Sequence, residues 1–191
     1  MNATSMKKGN YYSLSYARRS IETFEVPKIV NSRRSKSNIF AYENNGYYEQ
    51  SDIVITTLKH KYKNVIDLKF FLGVLNSRLI YQWFYFKGKR KGDYLELFQK
   101  PISEVPIKFD KNEINENIVE LTNKIIELTK SNNKTDFYIN KVDALVFHLY
   151  ELNESEMNQV LDMFPNLDTI NRTQIENEYK NITNNKFRLE L

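Results

Sequence analysis

Short apolar runs separated by turn residues fill residues 28–58, and this pattern restricts the first half of the chain to a small sheet. The apolar and aromatic run 39–42 precedes Asn44-Asn45-Gly46, and a β-branched run follows at 53–57. Asn-Gly between such runs is a strong short-range hairpin signal. The stretch therefore predicts a strand, a basic loop, a second strand, a tight turn and a third strand.

Two basic loops carry the candidate functional side chains. Arg, Lys, Ser and Asn can all donate hydrogen bonds to phosphates, and Arg and Asn can also read base edges. Gly88 and Gly92 permit a tight second loop, which we expect to face the same partner as the first. The candidate DNA-binding residues are Arg18, Arg19, Arg33, Arg34, Ser35, Lys36, Ser37, Asn38, Lys87, Lys89, Arg90 and Lys91.

Two plainer interpretations of these residues stay open. Ser and Asn in a loop often bond their own backbone, so Ser35, Ser37 and Asn38 could serve the turn alone. The charges could also simply keep a surface hydrated. The charge distribution favours a polyanion: residues 1–100 hold 18 Lys and Arg against 8 Asp and Glu, whereas residues 101–191 hold 10 against 16.

The middle of the chain predicts one long helix. Asp67 is suited to its N-cap, apolar residues recur at spacings of three and four up to Phe86, and Gly88 is placed to end it. Residues 94–98 then read as a strand. Pro101 and Pro106 argue against a helix across residues 99–107.

The second half predicts helices. Asp110 and Glu113 fit a capping box, and an apolar seam follows that is typical of a paired helix: Ile114, Ile118, Leu121, Ile125 and Leu128. A second helix is indicated around residues 142–149. Asn153 and Glu156 form another capping box, and residues 166–191 predict only a marginal helix. We expect an α+β fold with a small mixed sheet and a long packed helix in residues 11–108, a helical appendage in 109–191 and a disordered lead in 1–10.

Composition and motifs argue against catalysis by this chain. It has no cysteine, which excludes disulfides and thiolate chemistry, and no apolar stretch long enough for a membrane span, so we expect a cytoplasmic protein. It has no Pro-Pro, and its five glycines form no cofactor loop, so no methyl transfer is expected. Glu178-Tyr179-Lys180 fits a nuclease Glu-x-Lys pattern, but three residues arise easily by chance. Neither His60 nor His148 has a partner at metal-ligand spacing.

The segments RSKSNIFAYENNGYY and LGVLNSRLIYQWFYFKGKRKGDYLELFQKPISEVPI resemble the TaqI-like C-terminal specificity domain. The resemblance covers roughly residues 11–107, and VDALVFHLYELNESEM resembles the helical end of such proteins. It implies sequence-specific recognition of double-stranded DNA. The chain would be the target-recognition fragment of an adenine-specific DNA methyltransferase or a bifunctional restriction–modification enzyme.

The same resemblance implies that a missing N-terminal methyltransferase domain binds S-adenosylmethionine, whereas this fragment binds no cofactor or metal. Three alternatives remain open. The chain could be a fragment of a type I-like specificity subunit, a helical protein-interaction module that uses the apolar seam, or a standalone nucleic-acid-binding module.

Overall fold

The described strands of this protein form two small antiparallel sheets. The computed structural model describes residues 22–47, 52–109 and 112–191. The first sheet has the order β3-β1-β4, and the second has the order β2-β6-β5. The strands are β1 Lys28–Ser32, β2 Arg34–Ser35, β3 Phe40–Glu43, β4 Ile53–Thr56, β5 Lys89–Lys91 and β6 Tyr94–Glu96.

The α+β class is confirmed, but the details of the sheet prediction are wrong in two respects. The described residues form two sheets rather than one, and every strand pairing among them is antiparallel, so the sheets are not mixed. The strands on either side of Asn44-Asn45-Gly46 do not pair with each other, because β1 lies between them. Ile29 of the central strand β1 is fully buried.

The long helix predicted after Asp67 is divided into α2 Leu68–Asn76 and α3 Arg78–Lys87. Asp67 does cap the start, accepting a hydrogen bond from the Lys69 N–H at 2.8 Å. Ser77 breaks the helix: its backbone is extended, and its hydroxyl accepts from the Ile80 N–H at 3.3 Å. An N-cap serine can start a new helix inside an apolar pattern that continues across it.

A short helix, α4 Gln99–Ser103, lies where the two prolines argued against one. That prediction was wrong because Pro101 lies in the first turn of the helix. The N–H groups of a first turn have no acceptor within the helix, so proline loses no hydrogen bond there. Pro106 falls after the helix has ended. Two further short segments complete the first half of the described chain: α1 Glu22–Glu25 and a 3₁₀ turn at His60–Tyr62.

The second half is helical, as expected. Its helices are α5 Glu113–Lys130, α6 Asp136–Leu149, α7 Glu154–Leu161 and α8 Thr169–Thr183. Asn112 caps α5, accepting from the Asn115 N–H at 3.1 Å, and Asp110 lies outside the described residues. The capping box of Asn153 and Glu156 is confirmed. The marginal helix proves to be a full one, since Ile175 and Tyr179 of α8 are buried.

One apolar core connects the two halves. It includes Ile29 of β1, Phe70 of α2, Ile118 of α5 and Val142 of α6. Gly73 of α2 lies directly against α5: a Cβ at this position would lie 2.6 Å from the Thr122 hydroxyl oxygen. The boundary between a recognition domain and a helical appendage near residue 108 stays a prediction. Among the described helices, none combines the length and apolar character that crossing a bilayer requires.

A buried ion pair also joins the two halves. Asp143 of α6 is only 1% exposed, and its carboxylate accepts from the Arg78 backbone N–H at 2.7 Å and also contacts the Arg78 guanidinium. The same guanidinium donates to the side-chain oxygen of Asn140 at 3.3 Å. The start of α3 is thereby fixed to the middle of α6.

Candidate nucleic-acid interface

The two predicted basic loops belong to the same three-stranded sheet. β6 is its central strand, with β2 on one side and β5 on the other. Arg34 of β2 and Lys89 of β5 are both register partners of Glu96. Arg34 and Lys89 are more than fifty positions apart in the sequence, yet they lie on the two outer strands of one sheet, as the expectation of one shared partner requires.

Register and burial define the two faces of this sheet. Directly paired residues of antiparallel strands point to the same face, and neighbours along a strand alternate. Leu95 and Leu97 are buried, at 2% and 0% exposure, so they mark the inner face. The outer face carries Glu96 and the residues that we call the basic face: Arg34, Lys36, Lys89, Lys91 and Tyr94.

The basic face is exposed and holds cations around one aromatic ring. Tyr94 is 45% exposed, and the Lys36 ammonium lies 5.9 Å from the centre of its ring. Arg34 donates to Glu96 at 3.3 Å. Within the described part of the chain, Lys36, Lys89 and Lys91 have no ion-pair partner. Unpaired lysines on one face provide positive charge that phosphates can neutralise.

The remaining candidates of the second loop lie around this face. Arg90 pairs in register with the buried Leu95, so it turns to the inner side, where its guanidinium lies 4.0 Å from the ring centre of Tyr85 in α3. Lys87 is exposed at the last position of α3. Gly92 adopts a φ of +60° in the turn that follows β5, a conformation that favours glycine.

The polar residues of the first loop mostly serve the loop itself. Asn38 is buried, and its amide donates to the carbonyls of Leu75 at 2.6 Å and Ser77 at 3.0 Å. Asn38 therefore satisfies carbonyls at the break between α2 and α3, and we leave it out of the contact surface. The Ser35 hydroxyl accepts from the Ser37 N–H at 3.4 Å, which is turn chemistry.

Arg33 extends the cationic surface beyond the sheet. Its guanidinium lies 5.9 Å from the ring centre of Phe98 and 3.8 Å from the carboxylate of Asp52. The Arg34 guanidinium lies 5.8 Å from the same ring. Phe98 is thus approached by two arginines. Arg18 and Arg19 lie outside the described residues.

The family pattern of the TaqI-like C-terminal specificity domain matches residues 3–107, which is more than half of the chain. The chain belongs to this family. A specificity domain of this kind recognises a DNA target in restriction–modification systems and is not itself catalytic. The match ends before α5, so the resemblance of the helical end to longer family members stays a prediction. No curated protein matches the chain.

Two aromatic residues of the specificity domain were missed by the sequence reasoning. Tyr94 lies at the centre of the basic face, and Phe98 continues the same side of the extended segment beyond Glu96. The signal was present, because residues 94, 96 and 98 alternate with the apolar Leu95 and Leu97. Alternation identifies two faces, but only burial shows which of them meets solvent.

The nuclease-like pattern Glu178-Tyr179-Lys180 has a structural explanation. Glu178 lies on the helix α8, and its carboxylate is 3.7 Å from the ammonium of the buried Lys141. Tyr179 is buried, and its ring lies 6.1 Å from that of His148. Among the described residues, no group of three or more His, Cys, Asp or Glu side chains could hold a metal ion.

The four described glycines lie in different elements. Gly73 is packed inside a helix contact, where a Cβ would lie 2.8 Å from a methyl group of Ile118. Gly46 and Gly92 occupy separate turns, and Gly88 follows the last residue of α3. The expectation that this chain binds no cofactor stays a prediction.

Proposed function

We propose that this chain recognises a specific sequence in double-stranded DNA, as the target-recognition part of an adenine-specific DNA methyltransferase or a bifunctional restriction–modification enzyme. The single observation on which this proposal depends is that both basic loops belong to one sheet. Arg34 and Lys36 on one side of Tyr94, with Lys89 and Lys91 on the other, form a cationic strip. Such a strip suits the regular phosphates of a duplex.

We further propose that methyl transfer belongs to a separate catalytic domain of the same protein. That domain would bind S-adenosylmethionine and flip the adenine out of the duplex, which requires a polar residue and an aromatic one around the base. This sequence contains no Pro-Pro, which supports the assignment of methyl transfer to a separate domain. Since the DNA partner of such an enzyme is inside the cell, a cytoplasmic location is part of the proposal.

The role of a helical protein-interaction module, or of a type I-like specificity subunit, has less support. Both alternatives would use the apolar seam of α5 to pair with another subunit. Ile118 and Leu121 of that seam are fully buried within the chain, against α2 and α6. The seam is therefore already occupied. A standalone nucleic-acid-binding module would use the same basic face and differs only in lacking a catalytic domain.

The test compares two double variants that remove the same net charge. Lys89→Ala/Lys91→Ala removes two cations from the basic face, and Lys180→Ala/Lys186→Ala removes two exposed cations from the end of α8 and the segment after it. Binding to a labelled duplex is followed by fluorescence anisotropy over a salt series. Each lost phosphate contact lowers the slope of log K against log salt by about 0.9, so we expect a fall of about 1.8 for the first variant.

The control variant should keep the wild-type slope, because neither of its lysines belongs to the basic face. Equal slopes for the two double variants, in folded protein, would mean that only net charge matters. That result would contradict the proposed contact surface. Sequence specificity is tested separately, by selecting bound duplexes from a random pool with the wild-type chain. An enriched motif supports target recognition, and a pool without enrichment argues for a non-specific binder.

A further inference from the structure

A cavity opens beside Phe98, at the end of the basic face. Its volume is about 670 Å³, within the range of roughly 300–1,000 Å³ that is usual for ligand pockets. Val54 and Ile55 of β4 form an apolar wall, and Phe98, Gln99 and Lys100 line it from the segment that starts α4. Arg33, in the turn between β1 and β2, completes a cationic side.

The charge of this cavity favours an anion. Arg33 and Lys100 both line it, and none of its described lining residues is acidic. Their own partners lie outside it and are loosely held: Asp52 is 3.8 Å from Arg33 with an 88% exposed side chain, and Glu104 is 3.8 Å from Lys100. Ion pairs this exposed are weak, so both cations can turn to a phosphate.

The other walls suit the organic part of a nucleotide. Phe98 presents an aromatic ring, Val54 and Ile55 present aliphatic groups, and Gln99 carries an amide that can both donate and accept hydrogen bonds. Aromatic rings bind bases of any sequence by stacking, and amides can read base edges. An inorganic anion would use only the cations, whereas a nucleotide would use all of these groups.

We propose that this cavity, the Phe98 cavity, binds one phosphate-bearing nucleotide, with the phosphate at Arg33 and Lys100 and the base or sugar against Phe98. The inference rests on the proposed function and deepens it. Arg34 connects the cavity to the basic face, because its guanidinium lies 5.8 Å from the Phe98 ring centre while its Nε lies 3.3 Å from Glu96. A DNA strand that crosses the basic face can therefore continue into the cavity.

Two sources can supply such a nucleotide: the bound DNA strand or a free nucleotide. Lys100→Ala removes a cavity cation whose side chain is 79% exposed, so the fold should be unaffected. Lys180→Ala, at an exposed lysine of α8, is the matched control. Duplex binding is measured over a salt series, and binding of dAMP and of inorganic phosphate is measured by calorimetry, with far-ultraviolet circular dichroism as the check of folding.

If the DNA strand fills the cavity, Lys100→Ala lowers the salt slope by about 0.9 and Lys180→Ala leaves it unchanged. If a free nucleotide fills it, dAMP binds the wild type and not Lys100→Ala. The inference is overturned if Lys100→Ala behaves like Lys180→Ala both in duplex binding and in dAMP binding. If dAMP does bind, the inference is also overturned when inorganic phosphate binds as tightly.

A cross-linking arm locates the contact directly. A duplex that carries 5-iodouracil is irradiated on the wild-type chain, and the linked peptides are identified by mass spectrometry. A peptide that contains Phe98 supports the inference, and linkage confined to other aromatic residues, together with no binding of dAMP, contradicts it. The proposed function is tested by a different variant. It is contradicted if Lys89→Ala/Lys91→Ala keeps the wild-type salt slope. It is supported, and only the cavity inference fails, if that variant has a smaller slope while Lys100→Ala does not.

Discussion

Replacing Arg78 by Met should destabilise the fold far more than the loss of an exposed ion pair. Asp143 is 1% exposed, and Arg78 supplies both its charge partner and a backbone N–H. The substitution keeps the backbone bond and much of the packing but leaves a carboxylate buried beside no cation. Removing one partner of a buried pair costs about 3–5 kcal/mol. In a chain of this size, that corresponds to a fall in Tm of about 6–20 °C.

Arg172→Met is the matched control for this prediction. Arg172 also bonds two carboxylates, Asp162 at 2.8 Å and Glu176 at 3.0 Å, but their side chains are 66% and 30% exposed. Such pairs contribute about 0–1 kcal/mol. Thermal and urea unfolding of both variants measure the difference. Equal loss of stability in the two would refute the reasoning, because burial would then make no difference to the cost of an unpaired carboxylate.

The pH dependence of the Arg78→Met variant provides a second readout. Burial raises the pKa of Asp143 above its ordinary value, although Arg78 opposes the shift. The folded state then binds the proton more tightly than the unfolded state, so stability falls as pH rises from the ordinary aspartate pKa to the raised one. Arg78→Met removes the opposing charge. The difference in unfolding free energy between the wild type and this variant should therefore be smaller in acid, where Asp143 is neutral, and larger towards neutral pH.

Two further substitutions separate structural residues from DNA contacts. Asn38→Ala leaves the carbonyls of Leu75 and Ser77 without their buried donor, so the free energy of unfolding should fall by about 1–3 kcal/mol. The duplex affinity of the folded variant should not change. Scanning calorimetry measures the first effect and fluorescence anisotropy the second. Gly73→Ala places a Cβ 2.6 Å from the Thr122 hydroxyl oxygen and should cost about 1–3 kcal/mol, and Thr122→Ala in the same chain should restore part of that loss, as measured by urea unfolding.

Local signals in the sequence predicted the elements well. The N-cap at Asp67, the apolar period of α5 and the capping box of Asn153 and Glu156 each depend on residues within one or two turns, and each is confirmed. Strand partners depend on contacts between distant segments. The Asn-Gly turn was therefore assigned to a hairpin, although β1 separates its two strands.

The candidate site shows the same division. The basic loops are visible in the composition, but whether they join one sheet depends on the pairing of Arg34 with Glu96, which are 62 positions apart. Asn38 looked like a contact residue because its type suits DNA, and only the position of two distant carbonyls reveals its structural use. Residue type and spacing indicate which contacts a side chain can make. Tertiary contacts determine whether that side chain is free to contact DNA or is already bonded within the fold.

The shape of the basic face depends on the core beneath it. β2 has two residues and β5 has three, and so few strand residues cannot hold a sheet without apolar support. Leu95 and Leu97 provide that support by burying the inner side of the central segment, and α3 packs next to it through the contact of Tyr85 with Arg90. Since Arg78 fixes the start of α3 to α6, the helical half helps to set the spacing of the lysines that would meet the phosphates.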